Sequence, residues 1–397
     1  MKLSEYEIFV VGTPPPHHGG RYFIFVKLVT DDGIVGYGEI YAATFAPHTV
    51  AASAKDVIER DVLGTDPRSI ERLFRTVYSR GFTQRPDLSL MGVFSGIEMA
   101  CWDIAGKAVG LPVTELLGGR VRNSLRTYTY LYPLDPGEDI YANTGVYDTP
   151  SIAAEVAAAY VAAGHTAVKL DPMGGYYAGD PRMPSLGRMD LAEAMVGAIR
   201  EAVGSSADIC FGTHGQFTPA GALRLANRIE RFEPLWFEEP VPPDVVGSMA
   251  AVAAGTNLPI AAGERLATKY EFAPLLASGA VQIAQLNTSR VGGILEARKV
   301  TAIAEAHHAH IAPHLYNGPI GAAANIAVAA MAPNFLILEA ILDFGGFHAE
   351  LLKSPLQWAD GHVIVPTTPG LGVELNEDVA RSHPYDGDLL HLEMPWR

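Results

Sequence analysis

The chain has 397 residues, of which 48% are apolar and 18% charged. That is too apolar for wholesale disorder, and long enough for two or three ordinary domains or for an α/β barrel with a smaller companion. The formal charge is −15, from 29 basic and 44 acidic residues, and such a surface repels phosphate backbones, which excludes nucleic acid as the expected partner. An anionic substrate remains compatible with this charge if a few basic groups or a metal ion reverse the sign inside one pocket. No run approaches the ~18 uninterrupted apolar residues of a membrane span, so no membrane partner is expected. The N-terminus, Met1 to Glu7, lacks a basic region followed by an apolar segment and does not read as a secretory signal. The two cysteines, Cys101 and Cys210, cannot build a disulfide framework or a thiolate zinc site. They suit a reducing compartment, and a cytoplasmic location is expected.

In chain order, Thr13-Pro14-Pro15-Pro16-His17-His18-Gly19-Gly20 is too rich in Pro and Gly for regular structure. Residues 21 to 41 read as a hairpin. Arg21 to Val29 is rich in β formers, Asp31-Asp32-Gly33 supplies the turn, and Ile34 to Glu39 returns. From about Ala51 to Gly110 the pattern is helical, with Ile97, Ala100, Cys101 and Ile104 on one face and Gly110-Leu111-Pro112 as the stop. Residues 1–125 are therefore predicted to form an α+β unit.

From residue 126 the rhythm changes. Short apolar strands are predicted at 126–131, 166–170, 207–211, 235–237, 259–262, 281–286, 310–313 and 335–338. Helices such as 191–203, 219–231 and 293–307 run between them. Eight strands repeating every ~25 residues with helices between them indicate a parallel (β/α) barrel, placed at residues 126–341. No G-x-G-x-x-G opens the first helix, which disfavours a dinucleotide-binding sheet. Residues 342–397 lose the rhythm and are predicted to cover the barrel or return to the N-terminal unit.

The active site of such a barrel lies at the carboxyl ends of its strands. Those ends read Lys169-Leu170-Asp171, Gly212-Thr213-His214, Glu238-Glu239-Pro240, Gly263-Glu264-Arg265, then Asn287, Pro313-His314 and Glu339. Side chains two apart on a strand share a face, which groups Lys169 with Asp171 and Gly212 with His214. Glu238 and Glu264 lie at adjacent strand ends, and hard oxygen ligands there suit Mg²⁺ completed by substrate oxygens. His214 and His314 would face each other across the mouth as proton carriers. His307, His308 and His310 fit a helix end and loop better than a metal cluster. Cys101 and Cys210 fit packed interiors.

The chain resembles the enolase superfamily, and within it the mandelate racemase/muconate lactonizing enzyme-like acid-sugar dehydratases of the galactonate type. The resemblance runs along nearly the whole length. It rests on Gly33 to Glu39, Ala100-Cys101-Trp102-Asp103-Ile104-Ala105-Gly106-Lys107 and Val168 to Pro172. It continues through Trp236 to Pro240, Gly263-Glu264-Arg265, Ser289 to Gly293 and Ala312-Pro313-His314. It implies a modified (β/α)7β TIM-type barrel with an α+β capping domain formed from both termini, whose loops near residues 13 to 22 close over the mouth. It also implies Mg²⁺-assisted removal of the proton α to a carboxylate, then loss of a β-hydroxyl to give a 2-keto-3-deoxy sugar acid.

On that basis Lys169, His214, His314, Asn287 and Glu339 are the expected catalytic residues. Glu238, Glu264 and Asp171 are the expected Mg²⁺ ligands, and His17, Arg265 and Asp171 are expected to contact substrate. The expected partner is a small acid sugar, with the chain assembling as a homo-oligomer. Two positions depart from the family pattern. Gly212 stands where the family places a third ligand carboxylate, and Asp171 on the neighbouring strand could replace it. Asp208 could not, since four residues of strand put it ~13 Å below Gly212. Asn287 stands where an aspartate normally partners the strand-seven histidine, and an amide orients an imidazole without stabilising its charged form. Two other functions compete with dehydration: a racemase, epimerase or lactone cycloisomerase of the same fold, and a sugar-acid binding protein that has lost its chemistry. Retention of Lys169, His214, Glu238, Glu264 and His314 argues for an enzyme.

Overall fold

The protein is described by a computed structural model that covers all residues except 138, 141–144, 175, 176, 178 and 393–397. Its first sheet is antiparallel, in the order β1 (Leu3–Gly12), β2 (Tyr22–Thr30) and β3 (Val35–Ile40). The expected hairpin is β2–β3, closed by Gly33 N–H donating to the Thr30 carbonyl with Gly33 at φ 84°. Strand β1 is not evident from the residue pattern because only its second half alternates between buried and partly exposed side chains.

The stretch that reads as helical from Ala51 to Gly110 divides into helices Pro47–Val57, Ile70–Tyr78 and Leu88–Val109. Gly64 and Pro67 lie in the first break, and Asp87 restarts the chain by accepting from Ser89 N–H (3.0 Å) and Leu90 N–H (2.9 Å). Helix Leu88–Val109 is long and apolar enough to cross a membrane, yet 78% of its apolar window is buried, as in a core helix. It packs directly on β3. A Cβ at Gly38 would lie 1.8 Å from the Gly96 carbonyl oxygen, so only glycine allows this approach.

The second sheet holds the parallel strands β4 (Ser124–Tyr130), β5 (Ala167–Leu170), β6 (Asp208–Gly212), β7 (Trp236–Glu238), β8 (Ile260–Ala262), β9 (Ile283–Ala284), β10 (His310–Ile311) and β11 (Leu338–Ala340). Each from β4 to β10 pairs with the next, β11 pairs with β4, and an Ile311–Phe335 bridge joins β10 to the segment before β11. The barrel is thereby closed. The eighth strand lies three residues later than its predicted start at Phe335, because the apolar run 335–338 has no turn signal at its end. Glu339 consequently sits within β11.

A hairpin of β12 (Trp358–Ala359) and β13 (His362–Ile364) then pairs antiparallel with β4. Further on, a Val11–Pro384 bridge and a 2.7 Å Lys27–Glu377 ion pair tie the tail to β1 and β2.

Two buried carboxylates fasten the first unit to the barrel. Glu39 accepts from Gly318 and Gly321 N–H at the start of helix Pro319–Met331. Glu98 accepts from Ile294 N–H (2.7 Å) and Leu295 N–H (2.9 Å) at the start of helix Ile294–Ala306, and from Trp102 Nε1 (2.8 Å). Each meets the positive end of a helix with unpaired backbone donors. Glu98→Ala is expected to lower stability by about 2 kcal/mol in urea unfolding, at the upper end for loss of a cap.

Candidate active site

The mouth is assembled by strand alternation. Lys169 on β5 is fully buried, with Nζ 2.5 Å from Glu238 Oε1 and 3.7 Å from Glu339 Oε1. Its ammonium also lies 4.7 Å from the Tyr130 ring centroid. Burial opposes its charge, but Glu238 and Glu339 outweigh burial and hold it charged well above the usual lysine range. The second oxygen of Glu238 accepts from Trp236 Nε1 (2.9 Å) and Gln285 Nε2 (2.6 Å). Burial pushes the Glu238 carboxyl up to about 7 even though Lys169 pulls the other way. Glu239 faces elsewhere. Its carboxylate takes Arg265 Nε at 2.9 Å, so the expected substrate contact Arg265 is engaged in an ion pair.

His214 follows β6 with φ 46°. Its Nδ1 is 2.6 Å from Asp171 Oδ2, and its Nε2 is 3.8 Å from Glu264 Oε1. Burial disfavours the imidazolium, but Asp171 and Glu264 outweigh burial and raise the group to about 10. Gly212 makes this pairing possible. A Cβ there would lie 2.0 Å from Asp171 Oδ1, so the Asp171 carboxylate occupies the space of the missing side chain.

Glu264 lies between the two histidines. Its Oε2 is 3.5 Å from His314 Nε2, and among the described residues that buried oxygen has no hydrogen-bond partner. Burial works against the Glu264 charge, while His314, His214 and Lys169 hold it well below the usual carboxylate range. His314 Nδ1 is 2.9 Å from Asn287 Nδ2, and burial lowers the imidazole from its ordinary value. Glu339 accepts Leu315 N–H at 2.8 Å and lies 3.9 Å from His314 Nε2.

Lys169, Asp171, His214, Glu238, Glu264, Asn287, His314 and Glu339 are thus brought together. His17, expected to contact substrate, bonds within its own loop. Its Nδ1 lies 2.8 Å from the Thr13 carbonyl oxygen. Tyr130, Trp236, Gln285 and Asn317 join the site without having been marked by the sequence. Trp236 and Gln285 lie two residues before Glu238 and Asn287, and the alternation rule is the signal that could find them. Asn317 lies in a loop beyond β10, where no periodicity points to it.

Residues 151–379 match the family described as enolase C-terminal domain-like. Residues 17–118 match the mandelate racemase/muconate lactonizing enzyme N-terminal domain. The chain belongs to the mandelate racemase/muconate lactonizing enzyme family of the enolase superfamily. It is 35% identical over 377 residues to a D-galactonate dehydratase of Xanthomonas oryzae pv. oryzae (strain PXO99A), covering 92% of each chain. It is also 35% identical to a D-galactonate dehydratase of Pectobacterium atrosepticum, with 90% of each chain covered. A solved mandelate racemase/muconate lactonizing enzyme from Sulfitobacter sp. is 52% identical, with a TM-score of 0.95 over 99% of this chain and 98% of that one. A solved chain from Labrenzia alexandrii DFL-11 is 57% identical, also with a TM-score of 0.95, over 99% and 98%.

Membership of this superfamily implies a divalent metal. The donor chemistry fits one. Asp171, Glu238, Glu264 and Glu339 outnumber the cationic groups facing them, and the Glu264 Oε2 oxygen is buried without a partner. Among the described residues no three His, Cys, Asp or Glu side chains form a ready cluster. Glu238 is turned to Lys169 and Asp171 to His214, rather than both meeting Glu264. Glu238 and Glu264, at adjacent strand ends, are the two that would hold a hard divalent ion through their carboxylates, together with water and substrate.

Proposed function

We propose that this protein is a Mg²⁺-dependent acid-sugar dehydratase, a hydro-lyase acting on an aldonic or aldaric acid. The observation that carries this reading is the His214–Asp171 pair, a charged imidazole at the mouth in addition to Lys169 and His314. A racemase needs a group on each face of the α-carbon that both takes and gives a proton, and an imidazole held charged by Asp171 is a poor base. It has instead an obvious task as acid at a departing hydroxyl, because hydroxide leaves poorly unless it is protonated as the C–O bond breaks. The similarity to D-galactonate dehydratases supports the reading and makes D-galactonate the first substrate to test.

In this reaction a nitrogen base at the mouth removes the proton α to the carboxylate, and the β C–O bond breaks as His214 delivers its proton to the oxygen. Water leaves, and the enol becomes a 2-keto-3-deoxy acid after taking up a proton at C3. A divalent cation held by Glu238 and Glu264 would supply charge stabilisation to the carboxylate oxygens of the enediolate. Glu339 and the backbone around Leu315 fix the wall between His314 and Lys169.

The acid must be charged, so the high-pH limb of turnover is expected to fall through about 10, where His214 loses its proton. Gly212→Ala forces Asp171 away from His214, and should move that falling limb toward the ordinary histidine value of ~6.5. An unmoved limb in a pH–rate profile would separate His214 from the acid role.

The reading is tested on a panel of aldonic and aldaric acids, with 2-keto acid formation followed after chelation and after Mg²⁺ is restored. Product from at least one acid, dependent on the restored cation, is expected. Absence of 2-keto acid across the panel contradicts the reading.

A further inference from the structure

We propose that Asn287 locks His314 in the tautomer that carries its proton on Nε2, so that His314 meets the substrate as a hydrogen-bond donor and not as the base. The donor role toward substrate rests on the dehydratase reading; the tautomer does not.

The orientation of the Asn287 amide decides the matter. Its Oδ1 lies 2.8 Å from the backbone nitrogen of Ser289, which always donates, so that atom must be the oxygen. The NH₂ group therefore faces His314 Nδ1 at 2.9 Å. An amide NH₂ only donates, so Nδ1 must offer a lone pair, and a neutral imidazole then carries its hydrogen on Nε2.

The lock is anchored from behind by a buried chain of amides. Asn287 Nδ2 also faces Asn317 Oδ1 at 3.4 Å. The Asn317 side chain in turn donates to the Glu39 carboxylate and, through Nδ2, to Ser289 Oγ at 3.2 Å. Glu39 takes two further donors from the backbone of Gly318 and Gly321. Turning over the Asn287 amide would set donor against donor at Ser289 and oxygen against oxygen at Asn317. Glu39, Asn317 and Asn287 are thus positioning residues acting through His314.

The other ring nitrogen is turned to the mouth, with Nε2 3.5 Å from Glu264 Oε2 and 3.9 Å from Glu339 Oε2. The ring is buried, 7% exposed at the side chain, so bulk water does not reset it.

An aspartate at 287 would do the reverse. It would accept a hydrogen from Nδ1 and leave the Nε2 lone pair free to take a proton. With asparagine the only lone pair is on Nδ1, turned away from the mouth. A neutral imidazole N–H suits an oxygen on which negative charge develops, and the α proton is left to another group at the mouth.

Two-bond ¹H–¹⁵N correlation spectra of protein labelled in histidine nitrogens test this at about pH 8, above the ordinary histidine range near ~6.5. The His314 signals are identified by their loss in His314→Gln. A protonated Nε2 and a bare Nδ1 are expected in the unmodified protein, and Asn287→Asp should move a proton onto Nδ1. A protonated Nδ1 in the unmodified protein overturns the proposal, and this holds even if Asn287→Asp does not fold.

The role is tested with any acid sugar that exchanges its α proton. His314→Gln keeps an amide N–H donor but cannot take a proton, so exchange should be slowed and not abolished. Exchange abolished in a folded His314→Gln overturns the donor role. If no acid sugar is dehydrated while Nε2 carries the proton, the functional reading fails and the tautomer stands.

Discussion

His214→Asn is expected to abolish dehydration while leaving exchange of the substrate α proton with solvent deuterium detectable. The two steps use different groups, so losing the acid should stop C–O cleavage and spare C–H cleavage. General acid assistance contributes ~10²–10⁴-fold, and the loss of 2-keto acid formation should fall in that range. The geometry supports a specific role. His214 is held by Asp171 at 2.6 Å and is a quarter exposed at its side chain, so a positioned imidazole stands at the mouth. Dehydration at the unmodified rate in this variant would make His214 structural and move the isomerase reading ahead.

Lys169→Met should be the most destabilising single change at the mouth. Both partners of the 2.5 Å Lys169–Glu238 pair are at most 1% exposed. Removing one member of a buried pair leaves the other charge unpaired and costs about 3–5 kcal/mol. Glu238→Gln in the same chain should recover much of that loss, because a glutamine oxygen still accepts from Trp236 and Gln285. Urea unfolding of both variants in metal-free buffer gives the comparison. A loss below ~1 kcal/mol for Lys169→Met would show that the pair is hydrated in solution.

Much of this site is legible in the sequence alone. Eight apolar segments at regular spacing specify a barrel, and a barrel fixes which residue of each segment reaches the mouth. Lys169, His214, Glu264 and His314 follow from that rule, while the choice of Glu238 over Glu239 rests on the family resemblance. What periodicity cannot show is how charged groups pair once they meet. Glu238 turns to Lys169 rather than toward Glu264, and the Asp171 carboxylate fills the volume left open at Gly212. Both outcomes depend on close approach between strands and not on the pattern within one. The same limit applies to Asn317 and Glu39, far from Asn287 in sequence, whose amide and carboxylate set its orientation. The helical stretch before Gly110 is less continuous than its apolar pattern suggests for a simpler reason. Gly64, Pro67 and Asp87 interrupt it, and each is a local signal within a long apolar run.

The central claim is best tested by proton NMR of D-galactonate incubated in D₂O with this protein and Mg²⁺. Dehydration predicts loss of the substrate C2 proton together with growth of a 2-keto-3-deoxy acid that carries solvent deuterium at C3. Washout of the C2 proton without that product would mark an epimerase. An unchanged spectrum, repeated across the aldonic and aldaric acids, would contradict the account.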